Sequence, residues 1–203
     1  LLLFIYFNRN FNIKIKIAVT SATILLFLLI ASNSSHLKGR YGHQLFSQLS
    51  TKEKRTEFYK SSSYFTLYRS GIAVFKDYPL FGVGNKNYRV VTCEKPIANK
   101  NYHCLTHPHQ IYIEFLSEHG AIGTIILLTL IFILIFKNIK VIILSRNSIQ
   151  LGSFIYLIIN FLPILPSGSF FNDFNATLFW LNFSIMYACN PQTNIFNKTK
   201  NTN

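Results

Sequence analysis

The chain has 203 residues, half of them hydrophobic and only 13% charged, with a formal net charge of +13. The apolar residues fall in blocks long enough to cross a bilayer, which points to a helical integral membrane protein. The basic residues are spread through loops rather than along one helix and no nucleic-acid motif is present, so nucleic acid is excluded and anionic lipid or phosphate-bearing substrates are favoured.

In chain order, LLLFIYF at the start is too short to span and no cleavage site follows it. It reads as the end of a span whose beginning lies upstream, making this the C-terminal part of a longer protein. Asn8 to Lys16 is a short basic loop, and Ile17 to Ala31 with its flanks is the first full span, which closes a first region at 1–31. Ser32 to Gly120 is a loop of 89 residues carrying twelve Lys or Arg and six Asp or Glu. Ala121 to Phe136, Leu151 to Leu165 and Ala176 to Cys189 are three further spans in a region 121–189, and a polar tail, 190–203, follows. The expected fold is therefore all-α, with about four transmembrane helices and one large loop (32–120) containing short amphipathic helices. Arg9, Lys14 and Lys16, then Lys137, Lys140 and Arg146, then Lys198 and Lys200 all fall on one side of the membrane. The positive-inside rule makes that side cytoplasmic and the long loop periplasmic.

Within the loop, Tyr64 to Phe75 has helical periodicity, with Tyr64, Tyr68, Ile72 and Phe75 on one face suited to headgroup depth. Arg69 and Lys76 flank that face. They either make a cationic edge for phosphates or simply snorkel to headgroups. Pro79, Gly82 and Gly84 mark a turn with close backbone approach. Cys93 and Cys104 have ten residues between them. An oxidising compartment makes a disulfide plausible there, the other reading being two free thiols. Cys189, inside a span, reads as a small apolar residue.

The loop ends in THPHQIYIEFLSEHGAIG, Thr106 to Gly123, directly at the mouth of the apolar run IILLTLIFILIF. Pro108 suits a first helical turn, which makes Thr106 or His107 the expected N-cap and sets His109 among the free N–H groups of the first turn. The helix dipole there favours a neutral imidazole, as a base requires. The alternative is that His107 and His109 are polar residues anchoring a helix end. Glu114 and Glu118 point away from His109, and Asp173 stands alone in the outer turn, so no metal-ligand spacing is present. No G-x-S-x-G occurs. Arginine, lysine, histidine and a helix N-terminus remain, a set suited to a phosphate-bearing substrate whose leaving diphosphate is stabilised by fixed cations.

These residues carry a resemblance. R-S-G-I-A-V-F-K-D-Y-P-L-F-G-V-G from Arg69 and H-P-H-Q-I-Y-I-E-F-L-S-E-H-G-A-I-G from His107, with S-G-S-F-F-N from Ser167, resemble the bacterial O-antigen ligase and polymerase family. Gln110 stands where that family usually has asparagine. The resemblance implies a multi-pass protein of the bacterial inner membrane with its active site facing the periplasm. It implies metal-independent, inverting transfer of a glycan from a polyprenyl diphosphate carrier, without cofactor, to lipid A-core in ligases or to another glycan in polymerases. By position, Arg69 would hold the diphosphate and His109 would activate the acceptor hydroxyl, with Lys76 and His107 as lesser candidates. Family members are longer, and their earlier spans supply further basic residues for the donor; that N-terminal half would be a partner of this chain. Two readings compete: an inactive fragment of a broken gene, and a transporter of lipid-linked sugars. A transporter needs ionisable residues within its spans, where this chain has only polar ones such as Asn160 and Asn182.

Overall fold

The structure, a computed structural model, describes residues 2–39, 46–94, 99–163 and 165–194. The tail lysines Lys198 and Lys200 lie outside the described residues. Among those residues every regular element is a helix. In order they are α1 (Leu2–Phe7), α2 (Ile13–Asn33), α3 (Ser35–Leu37), α4 (Phe46–Leu49), α5 (Lys52–Ser61) and α6 (Ser63–Asp77). Then follow α7 (Tyr88–Glu94), α8 (Ile111–Phe136), α9 (Ile139–Leu144), α10 (Ser148–Asn160) and α11 (Asp173–Ala188).

Two stretches are long and apolar enough to cross a membrane, Ile13–Asn33 and Ile111–Leu144. α2 is apolar all round and buries none of its 21 residues against the rest of the chain. Such a helix belongs in lipid, and at 1.5 Å per residue it matches the roughly 30 Å hydrocarbon layer. Asn12 caps its start by accepting from the Ile15 N–H at 2.9 Å. The third and fourth expected spans overlap α10 and α11, which are 13 and 16 residues long and shorter than a full crossing. α10 stops at Asn160, ahead of Pro163 and Pro166, which remove donors and disfavour helix in the residues before them. The connection expected after Phe136 is itself helical, as α9.

The core lies between the apolar halves of α8, α9, α10 and α11. Ile131, Ile135, Ile142, Leu157, Phe179 and Met186 are almost fully buried there. Tyr112 of α8 donates to the Phe161 carbonyl at 2.6 Å and Tyr187 of α11 to the Leu134 carbonyl at 2.6 Å, so both ends of this packing carry a cross-tie.

Two of the basic connections meet at one end of the molecule, beside the end of α11. Asn8 donates to Ser148 at 2.8 Å and Asn10 to the Arg146 carbonyl at 2.9 Å. Asn147 donates to the Cys189 carbonyl at 2.7 Å, and buried Gln150 donates to Met186 and Thr193. The loops bearing Arg9 and Arg146 are thus joined through hydrogen bonds to each other and to the end of α11. α6, the turn after it and the start of α8 occupy the opposite end of α8.

There the fold depends on a break in α8. Gly120 has φ +63° and ψ −172°, so the helix stops and restarts. The turn at 79–84 fills the gap with main-chain hydrogen bonds. Val83 and Gly84 N–H donate to the Ser117 and Glu118 carbonyls at 3.0 and 2.8 Å, satisfying the end of the first half. The N–H groups of Ala121 and Ile122, at the start of the second half, donate to the Pro79 and Leu80 carbonyls at 2.8 and 3.2 Å. Groups that a helix break ordinarily orphans are therefore paired. Both glycines at the crossing are required. Gly82 has φ +67°, and a Cβ on it would strike the Glu118 and His119 backbone; one on Gly120 would strike the backbone of Leu80 and Phe81.

Candidate functional site at the mouth of α8

The helix carrying the site begins later than its sequence suggests. α8 starts at Ile111, and its N-cap is Gln110, whose side-chain oxygen accepts from the Ile113 N–H at 2.8 Å. Thr106 and His107 are not caps, and His109 is not in a first helical turn. His109 precedes the helix with φ +58°, the left-handed region that non-glycine residues rarely enter. The expectation that His109 lies in the first helical turn is thereby corrected. The physical reason is that the amide of Gln110 does the capping, which leaves Pro108 and His109 ahead of the helix. An amide is what position 110 needs, which explains why glutamine serves there.

Strain of this kind persists only where surroundings over-determine it, and the surroundings are visible. The His109 carbonyl accepts the Ser167 N–H at 3.0 Å. Its ring lies 4.1 Å from that of His107 and 6.4 Å, edge-on, from that of Tyr64 on α6. Pro108 is buried beneath α6, where Gly71 is the point of closest approach; a Cβ there would meet Ile113 and Pro108. The His107 Nδ1 lies 2.9 Å from the Thr106 hydroxyl, and its Nε2 is buried with no partner. Burial first, and the neighbouring His109 second, hold the His107 imidazole below the usual histidine range, favouring the neutral form.

Glu114, which the sequence left without a task, anchors the late S-G-S-F-F segment to α8. Its fully buried carboxylate accepts from the Ser169 hydroxyl at 2.5 Å and the Phe170 N–H at 3.0 Å. This carries Ser167 to His109 across nearly sixty residues of sequence. Spacing alone could not show it, because the partner segment follows two further helices. Asp173 is not alone: it begins α11, and its carboxylate lies 3.4 Å from the Lys86 ammonium, an exposed pair that contributes little. Glu118 is buried and faces the backbone amides of Lys86 and Tyr88.

Arg69 and Lys76 are both exposed on α6. The Arg69 guanidinium donates to the Tyr59 and Lys60 carbonyls at 3.1 and 3.0 Å and to the Thr66 hydroxyl at 2.9 Å. Its planar fork thus closes the open end of α5. Of the face expected to lie outward on this helix, Tyr64 and Ile72 are exposed and Tyr68 and Phe75 half-buried, while Leu67, Ser70, Gly71, Ala73 and Val74 are buried toward the rest of the chain.

Cys93 and Cys104 are joined in a disulfide. Residues 99–103, ahead of Cys104, dock on α6. The Ser70 hydroxyl receives the Tyr88 hydroxyl at 2.7 Å and the His103 N–H at 2.9 Å. Asp77 accepts from Tyr102 at 2.7 Å and Asn99 at 3.0 Å. These bonds, Tyr102 first, hold the Asp77 carboxyl below the usual carboxylate range.

Fold and site together define an all-helical protein of membrane character, with paired histidines just ahead of the polar half of a helix whose second half is apolar. The chain belongs to the O-antigen ligase family, whose model matches residues 1–128. The matched region takes in Arg69, the turn at 79–84 and the whole His107–Gly123 stretch, and ends before Ser167. No curated protein and no solved structure matches the chain.

Proposed function

We propose that the chain carries the periplasmic active site of an inner-membrane glycosyltransferase, which moves a glycan from a polyprenyl diphosphate carrier to lipid A-core. In this reading α2, the apolar half of α8, α10 and α11 are the four spans, with α10 and α11 extended by their flanks. Residues 32–120 form the periplasmic loop, 121–189 the C-terminal spans and 190–203 a cytoplasmic tail. His109 takes the proton of an acceptor hydroxyl. That oxygen attacks the anomeric carbon from the face opposite the carrier, the bond to the diphosphate oxygen breaks and the anomeric configuration inverts. Arg69 and Lys76 stabilise the departing diphosphate, with no metal or cofactor required. For Arg69 this means exchanging neutral carbonyl partners on α5 for a charged one, and charge-assisted bonds are roughly twice as strong. A polymerase would run the same chemistry with a growing glycan as acceptor.

The observation that carries the reading is the histidine pair, rings 4.1 Å apart, with His109 held in a left-handed backbone. The support for His109 is that strain together with its place beside Ser167. The test is glycan transfer in membranes carrying the protein, supplied with polyprenyl diphosphate-linked glycan and either lipid A-core or free glycan acceptor. His109→Gly removes the ring while relieving the backbone, so it should fold and lose roughly 10²–10⁴-fold in transfer. Normal transfer by His109→Gly with a dead His107→Ala would reverse the roles. Normal transfer by both would sink the mechanism.

A further inference from the structure

Between the end of α10, the start of α11 and the connection joining them lies a cavity of about 230 Å³. Ile111, Ile159 and Phe170 give it an apolar wall, and Asn160, Ser167 and Asn175 bring polar groups to it. It adjoins the histidines, since Ser167 donates to the His109 carbonyl and Ile111 is two residues beyond His109. None of its lining residues is charged or titratable.

The hydrogen-bonding state of the polar groups is specific. One N–H of the Asn160 amide is taken by the Tyr156 carbonyl at 2.8 Å and one of the Asn175 amide by the Ser169 carbonyl at 2.8 Å, leaving each amide a second N–H. Both amide oxygens are left as acceptors. The Ser167 hydroxyl is buried without any partner, although it can both donate and accept. Buried hydroxyls are ordinarily paired, so this one lacks the group it is built to meet. Two neutral acceptors and a hydroxyl set against an apolar wall suit a sugar ring, whose hydroxyls need such partners and whose C–H faces pack on apolar surface. A diphosphate would find no cation here. The volume is below the roughly 300–1,000 Å³ of pockets that take drug-sized ligands, which fits one sugar residue rather than a chain.

We infer that this cavity is the acceptor-sugar subsite: it seats one uncharged sugar residue and so presents a hydroxyl to the histidine pair. The inference rests on the glycan-transfer reading and adds which part of the substrate lies on which side of His109. The cations of α6 serve the donor, and the α10–α11 pocket serves the acceptor.

The experiment is saturation-transfer NMR on the protein in lipid nanodiscs. The probes are methyl β-glucoside, methyl β-galactoside and methyl N-acetyl-β-glucosaminide, with farnesyl diphosphate as a donor-side control. At least one glycoside should bind. Asn160→Leu and Ser167→Val should each weaken it about five-fold, the factor for one lost hydrogen bond, while farnesyl diphosphate binding holds in both. If one variant loses its thermal transition, the other decides alone. No glycoside signal from the unmodified protein, or undiminished signal in the variants, overturns the subsite. Failure of the transfer reading shows elsewhere, as normal turnover by His109→Gly, and leaves glycoside binding untouched.

Discussion

His107 and His109 are two residues apart, yet chemically unlike. His109 is fixed by its backbone, and His107 by where its ring is buried. For His107 the consequence is a pH dependence with a definite sign. Its folded pKa lies below the unfolded value of about 6.5. In the window beneath that value the unfolded chain binds more protons than the native one. Stability therefore rises with pH through the window, is fully present above it, and is lost as the pH falls from about 6.5 toward the folded pKa. Thermal melts in detergent between about pH 5 and 7.5, compared for the unmodified protein and His107→Gln, should differ by this slope, because burial raises the Glu114 carboxyl to about 7 and adds a slope of the opposite sign common to both. An unchanged slope in the variant would assign the dependence to another group.

At the scale of elements, the central device is the crossing of the 79–84 turn with the broken helix. Gly82→Ala and Gly120→Ala each place a Cβ against opposing backbone at a positive φ. Each should cost upward of about 1 kcal/mol. Because the two residues lie at one crossing, where a single shift of the turn would relieve both, the double variant should cost less than the sum, which a double-mutant cycle of denaturation midpoints would read. Strict additivity would mean the crossing is not a single unit. The same device shows what a sequence can and cannot disclose. The apolar blocks around Leu25 and Ile133 were plain to read, because lipid demands runs of apolar side chains and little else makes them. Pro79, Gly82 and Gly84 announced a tight turn for local steric reasons. The break at Gly120 was legible as the boundary between loop and span, but the hydrogen bonds that join it to a turn some forty residues earlier were not. The helix start was misplaced for a related reason. Pro108 carries a local signal for a first turn, but the tie from Ser167 and the capping amide of Gln110 override it. Of the site, the histidines and Arg69 could be named from motif context. The Glu114–Ser169 tie joins segments on opposite sides of two helices, and the grip of Arg69 on α5 depends on how two helices meet.

For the whole molecule, the joined loops at 8–10 and 146–148 make a claim about sidedness. Arg9 and Arg146 must share a compartment, because Asn8 and Asn10 hydrogen-bond Ser148 and the Arg146 carbonyl. In the proposed reading, which follows the positive-inside rule, that compartment is cytoplasmic and the loop at 32–120 periplasmic. In a Cys189→Ala background, a cysteine at Ser50 should react with an impermeant maleimide from outside, and one at Arg146 only after the membrane is opened. Equal labelling of both, or outside labelling of the Arg146 position alone, would reject this topology. The bonded pair Cys93 and Cys104 should stay silent until reduced.

The turn-to-helix crossing also bears on how this protein can drift over generations. Its four joining hydrogen bonds use only peptide atoms, so they impose almost nothing on the side chains nearby. Leu80 and Phe81 sit on the crossing yet are mostly exposed, at 58% and 71%. A library randomised over 79–84 and 117–122 should therefore recover wide variety at 80 and 81 beside near-invariant glycine at 82 and 120. The histidines would be carried through such change unmoved, since what holds them, the Ser167 tie and the seat of Pro108 beneath α6, lies outside the randomised segments.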